Sequence, residues 1–240
     1  MKAILSLLFL AILILCTWSG YKKGLIMGIG SLVAFIIAIY GASLLSDTYS
    51  GEIVDAMRPF ASGYMEVQVV DEKVRPALGM DDTQLSVTDY LAQNPGKQTE
   101  FCTMIYDGMG IYEPTGEQLA AEATEYAATH ENVSLQDAVV EVLCQRIAYA
   151  AGFVIAFIMI LIILIAIGNI PNISFKIPNF DFLNDISGAV FGLIHGICLC
   201  LVIGWTLKFT GLLIPQETLA DTFLVPWFMD RTILVHFLGI

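Results

Sequence analysis

The stretch that most constrains this chain runs from Ile186 to Leu207, where no Asp, Glu, Lys or Arg occurs. Its length suits one helical crossing of a bilayer, which needs about 20 apolar residues. Gly188, Gly192 and Gly196 recur at intervals of four and therefore share one face of a helix. Such a face lets a second helix backbone approach closely in lipid, where burial from water drives no association. The stretch predicts a membrane-embedded helix that packs through its glycines.

Charge is distributed unevenly along the chain, which separates a water-exposed segment from an apolar remainder. Residues 47–148 carry 18 acidic and 5 basic side chains, whereas all other residues together carry 5 acidic and 6 basic ones. The whole chain is 57% hydrophobic, with a mean hydropathy of +0.74, and is too apolar for an ordinary soluble domain. The sequence argues against nucleic-acid binding, because it contains no basic patch that would neutralise phosphates.

The N-terminal apolar runs predict two crossings joined by a short basic turn. Residues 3–21 carry no charge, Lys22 and Lys23 follow, and a second apolar run extends over 24–46. A cleaved signal peptide would also begin with a lysine before a short apolar core. We favour a transmembrane hairpin, because the second apolar run follows at once.

Small residues also recur at helical spacing in the second crossing. The series begins with Gly24, Gly28 and Ser31, and it predicts another helix face for close packing. GLIMGIGSLVAF from Gly24 and GAVFGLIHGICL from Gly188 both open with a small-xxx-small pattern. The similarity fits either a weak repeat of two hairpins or convergent packing in lipid.

A further helix is predicted to begin after Ser134 and to continue into the third crossing. SLQD places a capping hydroxyl three residues before an acid. Residues 153–167 include twelve Leu, Ile, Val or Phe, which together favour membrane insertion by about 5 kcal/mol.

We therefore expect an all-α integral membrane protein with four transmembrane helices in two hairpins. Residues 1–46 would form the first hairpin, and residues 47–133 an acidic, mostly helical extracytoplasmic insertion. Residues 134–208 would form an amphipathic lead-in and the second hairpin. Residues 209–240 would form a C-terminal interfacial segment with a helix in the headgroup layer, because aromatic and charged residues mix there.

The acidic insertion contains prolines at which we expect turns, at Arg58-Pro59, Arg75-Pro76, Asn94-Pro95-Gly96 and Glu113-Pro114. Between them, helices are predicted around residues 52–57, 84–92 and 117–129. The alternating MEVQVV at residues 65–70 predicts a short strand.

Basic residues in short loops predict the orientation of the chain. Lys22 and Lys23 place the first turn in the cytoplasm, and Lys176 places the second turn on the same side. Both termini and the acidic insertion would then lie outside the membrane, which the chain would cross several times. Three basic residues oppose this orientation: Lys2, Lys208 and Arg231.

The five cysteines have no metal-binding spacing, and we expect neither a metal nor a cofactor. Cys102 and Cys144 lie in the acidic segment, where an oxidising exterior would allow a disulfide between them. Free, buried thiols are the favoured alternative for this pair.

Three segments of the sequence resemble the colicin V production protein (CvpA) family. They are YKKGLIMGIGSLVAF at the first turn, NDISGAVFGLIHG at the start of the fourth crossing, and the tail LIPQETLADTFLVPWFMD. The resemblance covers about residues 1–46 and 147–231. It departs from the family at His195, which stands where a basic residue commonly precedes the last glycine. The resemblance implies an inner-membrane protein tied to toxin production or export and to envelope homeostasis.

His195 is the only ionisable side chain well inside a predicted crossing, and such groups often mark an ion or proton path. A neutral histidine bonded to a neighbouring helix is the alternative.

No nucleophile, base and orienting acid can be assembled, so we do not expect an enzyme. Two functions remain: a non-catalytic scaffold or accessory factor, and an oligomeric channel or transporter subunit. The expected partners are the lipid bilayer, further copies or other membrane proteins, and an unidentified extracytoplasmic partner.

Overall fold

The computed structural model describes residues 2–80, 86–130, 133–169, 181–209, 222 and 224–229. Within those ranges the chain is helical and contains no strand, which confirms the all-helical part of the predicted fold. A π-helix spans Met65–Val74 and a 3₁₀ helix spans Pro95–Lys97. The α-helices are α1 (Lys2–Tyr64), α2 (Arg75–Ala77), α3 (Val87–Gln93), α4 (Gln98–Gly108), α5 (Glu113–Thr129), α6 (Leu135–Asn169), α7 (Asp181–Leu207) and α8 (Val225–Met229).

The chain divides into two compact units. Unit 1 contains residues 1–46, 151–207 and 217–240, and unit 2 contains residues 47–150 and 208–216. Helices α1 and α6 each contribute residues to both units.

Three of the described helices are long and apolar enough to cross a membrane. The candidate spans are Ile4–Ala77, Leu135–Ile167 and Phe182–Leu207. Much of their apolar surface is exposed: Ile155, Met159, Ile162 and Ile165 of α6 are each more than half exposed. An apolar surface of this extent is costly in water and favourable in lipid, so the chain is a membrane protein.

Helix α1 is interrupted at Gly24, where φ is 74° and ψ is −177°. Side chains with a Cβ rarely adopt a positive φ, whereas glycine does so at little cost. The interruption divides the apolar part of α1 into an N-terminal segment, residues 2–23, and a C-terminal segment, residues 25–46.

Unit 2 has a hydrophobic core of its own. Phe101, Ile105 and Tyr106 of α4 are fully buried in it, beside side chains of the π-helix, α5 and the first part of α6. The Tyr106 hydroxyl donates a hydrogen bond of 3.1 Å to the Val139 carbonyl oxygen. Arg146 forms a bidentate ion pair with Glu122, with distances of 2.8 Å from Nη2 to Oε1 and 3.2 Å from Nε to Oε2. This acidic part of the chain therefore has a packed interior.

Two predictions for unit 2 are wrong. Residues 65–70 belong to the π-helix and not to a strand. The buried side chains of that helix are Met65, Val69, Val70 and Val74, which face the core at helical spacing, whereas Val67 is exposed. The turns expected at Pro59 and Pro76 are absent, because α1 continues through Pro59 to Tyr64 and Pro76 lies within α2.

The other predicted helices of the insertion are present where the structure describes them. Residues 52–57 lie within α1, residues 117–129 lie within α5, and Val87 begins α3. Pro114 lies in the first turn of α5, where the missing amide hydrogen is tolerated. Residues 84 and 85 lie outside the described ranges.

Most of the predicted C-terminal interfacial helix also lies outside the described ranges. The described part is α8, in which Phe228 and Met229 are buried and Trp227 is half exposed. The Phe228 ring lies 5.4 Å from that of Phe9, and a Cβ at Gly204 would lie 3.1 Å from its Cβ. This segment therefore packs on α1 and α7 within unit 1.

Candidate helix-packing interface

Helix α7 meets the N-terminal segment of α1 at an interface where two backbones approach closely. A Cβ added at Gly188 would meet the carbonyl oxygen of Gly20 and would lie 2.8 Å from the Cα of Gly24. A Cβ added at Gly192 would meet the carbonyl oxygen of Cys16 and would lie 3.0 Å from the Cα of Gly20. Backbone atoms cannot rotate away, so both positions exclude any side chain. We call Gly20, Gly24, Gly188, Gly192 and Gly196 the glycine interface.

The other predicted packing residues lie at the edges of this interface. A Cβ added at Gly196 would lie 3.0 Å from the Cβ of Cys16, and one added at Gly28 would lie 3.2 Å from that of Phe191. Ser31 is half buried and donates a hydrogen bond of 2.8 Å to the Gly28 carbonyl oxygen of its own helix. The glycines therefore join helices within one chain.

A buried asparagine completes the interface at the interruption of α1. The Asn184 Oδ1 atom accepts a hydrogen bond of 3.0 Å from the backbone N–H of Leu25, the first residue after the break. A Cβ at Gly24 would collide with this side chain. The first amides of a helix lack partners within it, and a side-chain acceptor stabilises such a start. Here the acceptor comes from α7.

Along α7 towards its C-terminus, the contacting residues of the N-terminal segment of α1 decrease in residue number, whereas those of the C-terminal segment increase. From Gly24, contacts with the N-terminal segment proceed backwards along the sequence to Cys16, which lies beside Gly196. Contacts with the C-terminal segment proceed forwards to Phe35, whose ring centroid lies 4.7 Å from that of His195. Both segments therefore extend alongside α7 from the same end.

His195 is half buried among apolar groups. Its Nδ1 atom is buried and has no hydrogen-bond partner among the described residues. It lines a cavity of about 480 Å³, together with residues of α1 and α6.

The predicted topology-setting residues lie outside the glycine interface. Lys22 and Lys23 are exposed immediately before the break, and the Lys22 Nζ atom lies 5.1 Å from the centroid of the Trp18 ring. Lys176 lies outside the described residues.

Cys102 and Cys144 are both buried, and their thiols are free. Burial raises the pKa of the Cys102 thiol to about 12. The described ranges contain no group of three or more His, Cys, Asp or Glu that could hold a metal ion.

Reasoning from the sequence missed Gly20 of the glycine interface and two residues that contact this interface, Cys16 and Asn184. Gly20 could have been found, because it extends the four-residue spacing of Gly24 and Gly28 towards the N-terminus. Asn184 carries no such signal, since its partner lies 159 residues away along the chain.

The apolar helices and their backbone-to-backbone interface define a helical membrane protein. Residues 116–233, just under half of the chain, match the family model described as "Colicin V production protein". The matched range includes α6, α7 and the described part of the tail, but not Gly20 or Gly24 of the glycine interface. No match is found among curated proteins or among solved structures.

Proposed function

We propose that the chain is a non-catalytic scaffold or accessory factor of the bacterial cytoplasmic membrane, acting in colicin V production or export and in envelope homeostasis. The glycine interface is the observation that carries this proposal. It fixes three helical segments by direct backbone contact, as a rigid platform for other proteins requires. The acidic surface of unit 2 would contact an extracytoplasmic partner, and the exposed apolar face of α6 would contact lipid, further copies or partner helices.

We further propose four crossings arranged as two hairpins. The interruption at Gly24 divides α1 into two apolar segments, each long enough to cross a bilayer. The opposite directions of their contacts along α7 support a reversal of the chain at Gly24. Helices α6 and α7 would form the second hairpin.

Cysteine labelling tests this topology. Lys23→Cys and Asp107→Cys both place a thiol at an exposed position, one beside the break and one on α4. In intact spheroplasts, a membrane-impermeant maleimide should label Asp107→Cys, whereas Lys23→Cys should react only after permeabilisation. Equal labelling of both variants in intact cells would contradict the two hairpins.

Secretion of colicin V tests the scaffold role in cells that lack the native protein. Gly192→Leu should abolish complementation, because its side chain would collide with the Cys16 carbonyl oxygen. Gly51→Leu is the matched control, since a Cβ at Gly51 meets nothing within 4 Å. Normal secretion with Gly192→Leu at native protein levels would overturn the proposal.

A channel or transporter subunit is the second candidate, and the unpartnered Nδ1 atom of His195 favours it. A pore would require oligomerisation, because the described crossings contain few internal polar residues. His195→Leu should then change proton or solute flux in proteoliposomes while leaving secretion by a scaffold unaffected. Unchanged flux would exclude a pathway through this residue.

A further inference from the structure

Unit 1 contains a cavity of about 480 Å³ between the two segments of α1, α6 and α7. Its walls are mainly apolar and include Leu15, Met27, Ala34, Leu161 and Ile165. Cavities of about 300–1,000 Å³ commonly hold one small ligand. Lys23, Met27, Gly30 and Ile165 are exposed members of the wall, so the cavity opens onto the apolar surface of the unit.

Among the described residues that line the cavity, Lys23 is the only charged one. It forms no ion pair with a carboxylate in the described part of the chain, whereas Lys22 lies over the Trp18 ring. The ammonium group therefore gives an otherwise apolar cavity one positive end. A ligand that matches this arrangement carries an anion at one end and hydrocarbon along its length.

The cavity extends along the N-terminal segment of α1. The residues of that segment that line it run from Leu15 to Lys23. A helix rises 1.5 Å per residue, so these two residues are about 12 Å apart along its axis.

We propose that this cavity binds an anionic single-chain amphiphile, with its headgroup on Lys23 and its acyl chain between α1, α6 and α7. This proposal goes beyond the scaffold role and does not depend on it. Burial of each methylene group from water favours binding, and the charge selects the headgroup.

Binding of radiolabelled palmitate to the purified full-length chain in detergent tests the proposal. Saturable binding is expected, and hexadecanol, which lacks the charge, should compete poorly. Lys23→Gln should weaken palmitate binding by about tenfold or more, because it removes a charge-assisted contact. Lys22→Gln is the matched control and should bind as the native chain does.

Filling the cavity provides a second test that does not depend on charge. Gly30 lines the cavity, and a Cβ there meets nothing within 4 Å, so Gly30→Leu should occupy the space without disturbing the fold. This variant should lose palmitate binding, whereas Gly51→Leu should retain it. Circular dichroism and thermal melting should show both variants folded.

The proposal is overturned if native chain shows no saturable palmitate binding, or if Lys23→Gln or Gly30→Leu binds normally. Equal competition by hexadecanol would also overturn it, because the headgroup would then play no part. If Gly30→Leu changes the oligomeric state but not palmitate binding, the cavity belongs to an interface with a second copy.

Discussion

Replacing Gly192 with alanine adds one methyl group where α7 contacts the N-terminal segment of α1. The new Cβ would meet the Cys16 carbonyl oxygen and would lie 3.0 Å from the Cα of Gly20. Both neighbours are backbone atoms, so the collision can be relieved only by moving a whole helix. Gly30→Ala is the matched control, because it makes the same chemical change where nothing lies within 4 Å of the added atom.

The two substitutions should change stability in opposite directions. Alanine is favoured over glycine inside a helix by about 0.8–1 kcal/mol, and both variants gain this amount. Gly192→Ala also incurs the cost of overpacking a rigid site, about 1–3 kcal/mol. The helix-propensity gain cancels in the comparison, so the free energies of unfolding should differ by about 1–3 kcal/mol, with Gly30→Ala the more stable.

Unfolding by SDS in mixed micelles, followed by tryptophan fluorescence, measures this difference. The native chain and both variants should be titrated at the same protein and detergent concentrations. If the two variants agree within about 0.5 kcal/mol, the backbones do not approach as closely as the structure requires. The reasoning about the glycine interface would then fail.

Three further predictions concern other contacts. Asn184→Ala should lower the free energy of unfolding by about 0.5–2 kcal/mol in the same titration, and an unchanged value would show that the cap contributes nothing. Cysteines at positions Ser46 and Gly152 should form a disulfide on mild oxidation, because the two Cβ atoms would lie 3.8 Å apart. After proteolysis between the two positions, the disulfide should keep the two fragments joined, and their separation without a reducing agent would contradict this packing. Cys102 should resist maleimide at pH 8 and react faster as the pH rises towards its pKa of about 12, whereas Asp107→Cys should label readily at pH 8. Equal labelling rates at pH 8 would show that the Cys102 thiol is accessible.

Local signals predicted the helices well. Ser134 was expected to cap a helix, and its hydroxyl accepts a hydrogen bond of 3.1 Å from the Asp137 amide at the start of α6. No proline follows until that helix has ended, so its continuation to Asn169 was also predictable. These features depend on residues that are close together in the sequence.

Features that depend on distant residues were not predictable in the same way. The glycine spacing in α7 indicated a packing face, but not that Cys16 and Gly20 would lie opposite it. The valines of the π-helix fit an alternating pattern as well as a helical one, and the core of unit 2 decides between them. From its sequence neighbours alone, an asparagine near a turn is expected to be solvated. The role of Asn184 is therefore visible only when α7 packs against α1.

The hydrogen bond between Leu25 and Asn184 joins a residue that is translated early to one that is translated late. Ribosomes add about 5–20 residues per second, so roughly 8–32 s separate the emergence of the donor from that of its acceptor. During that interval the start of the second segment of α1 lacks the acceptor it has in the finished protein. In the proposed topology, the two segments of α1 therefore enter the bilayer as an unfinished assembly, and their contact with Asn184 forms only after most of the chain has been translated.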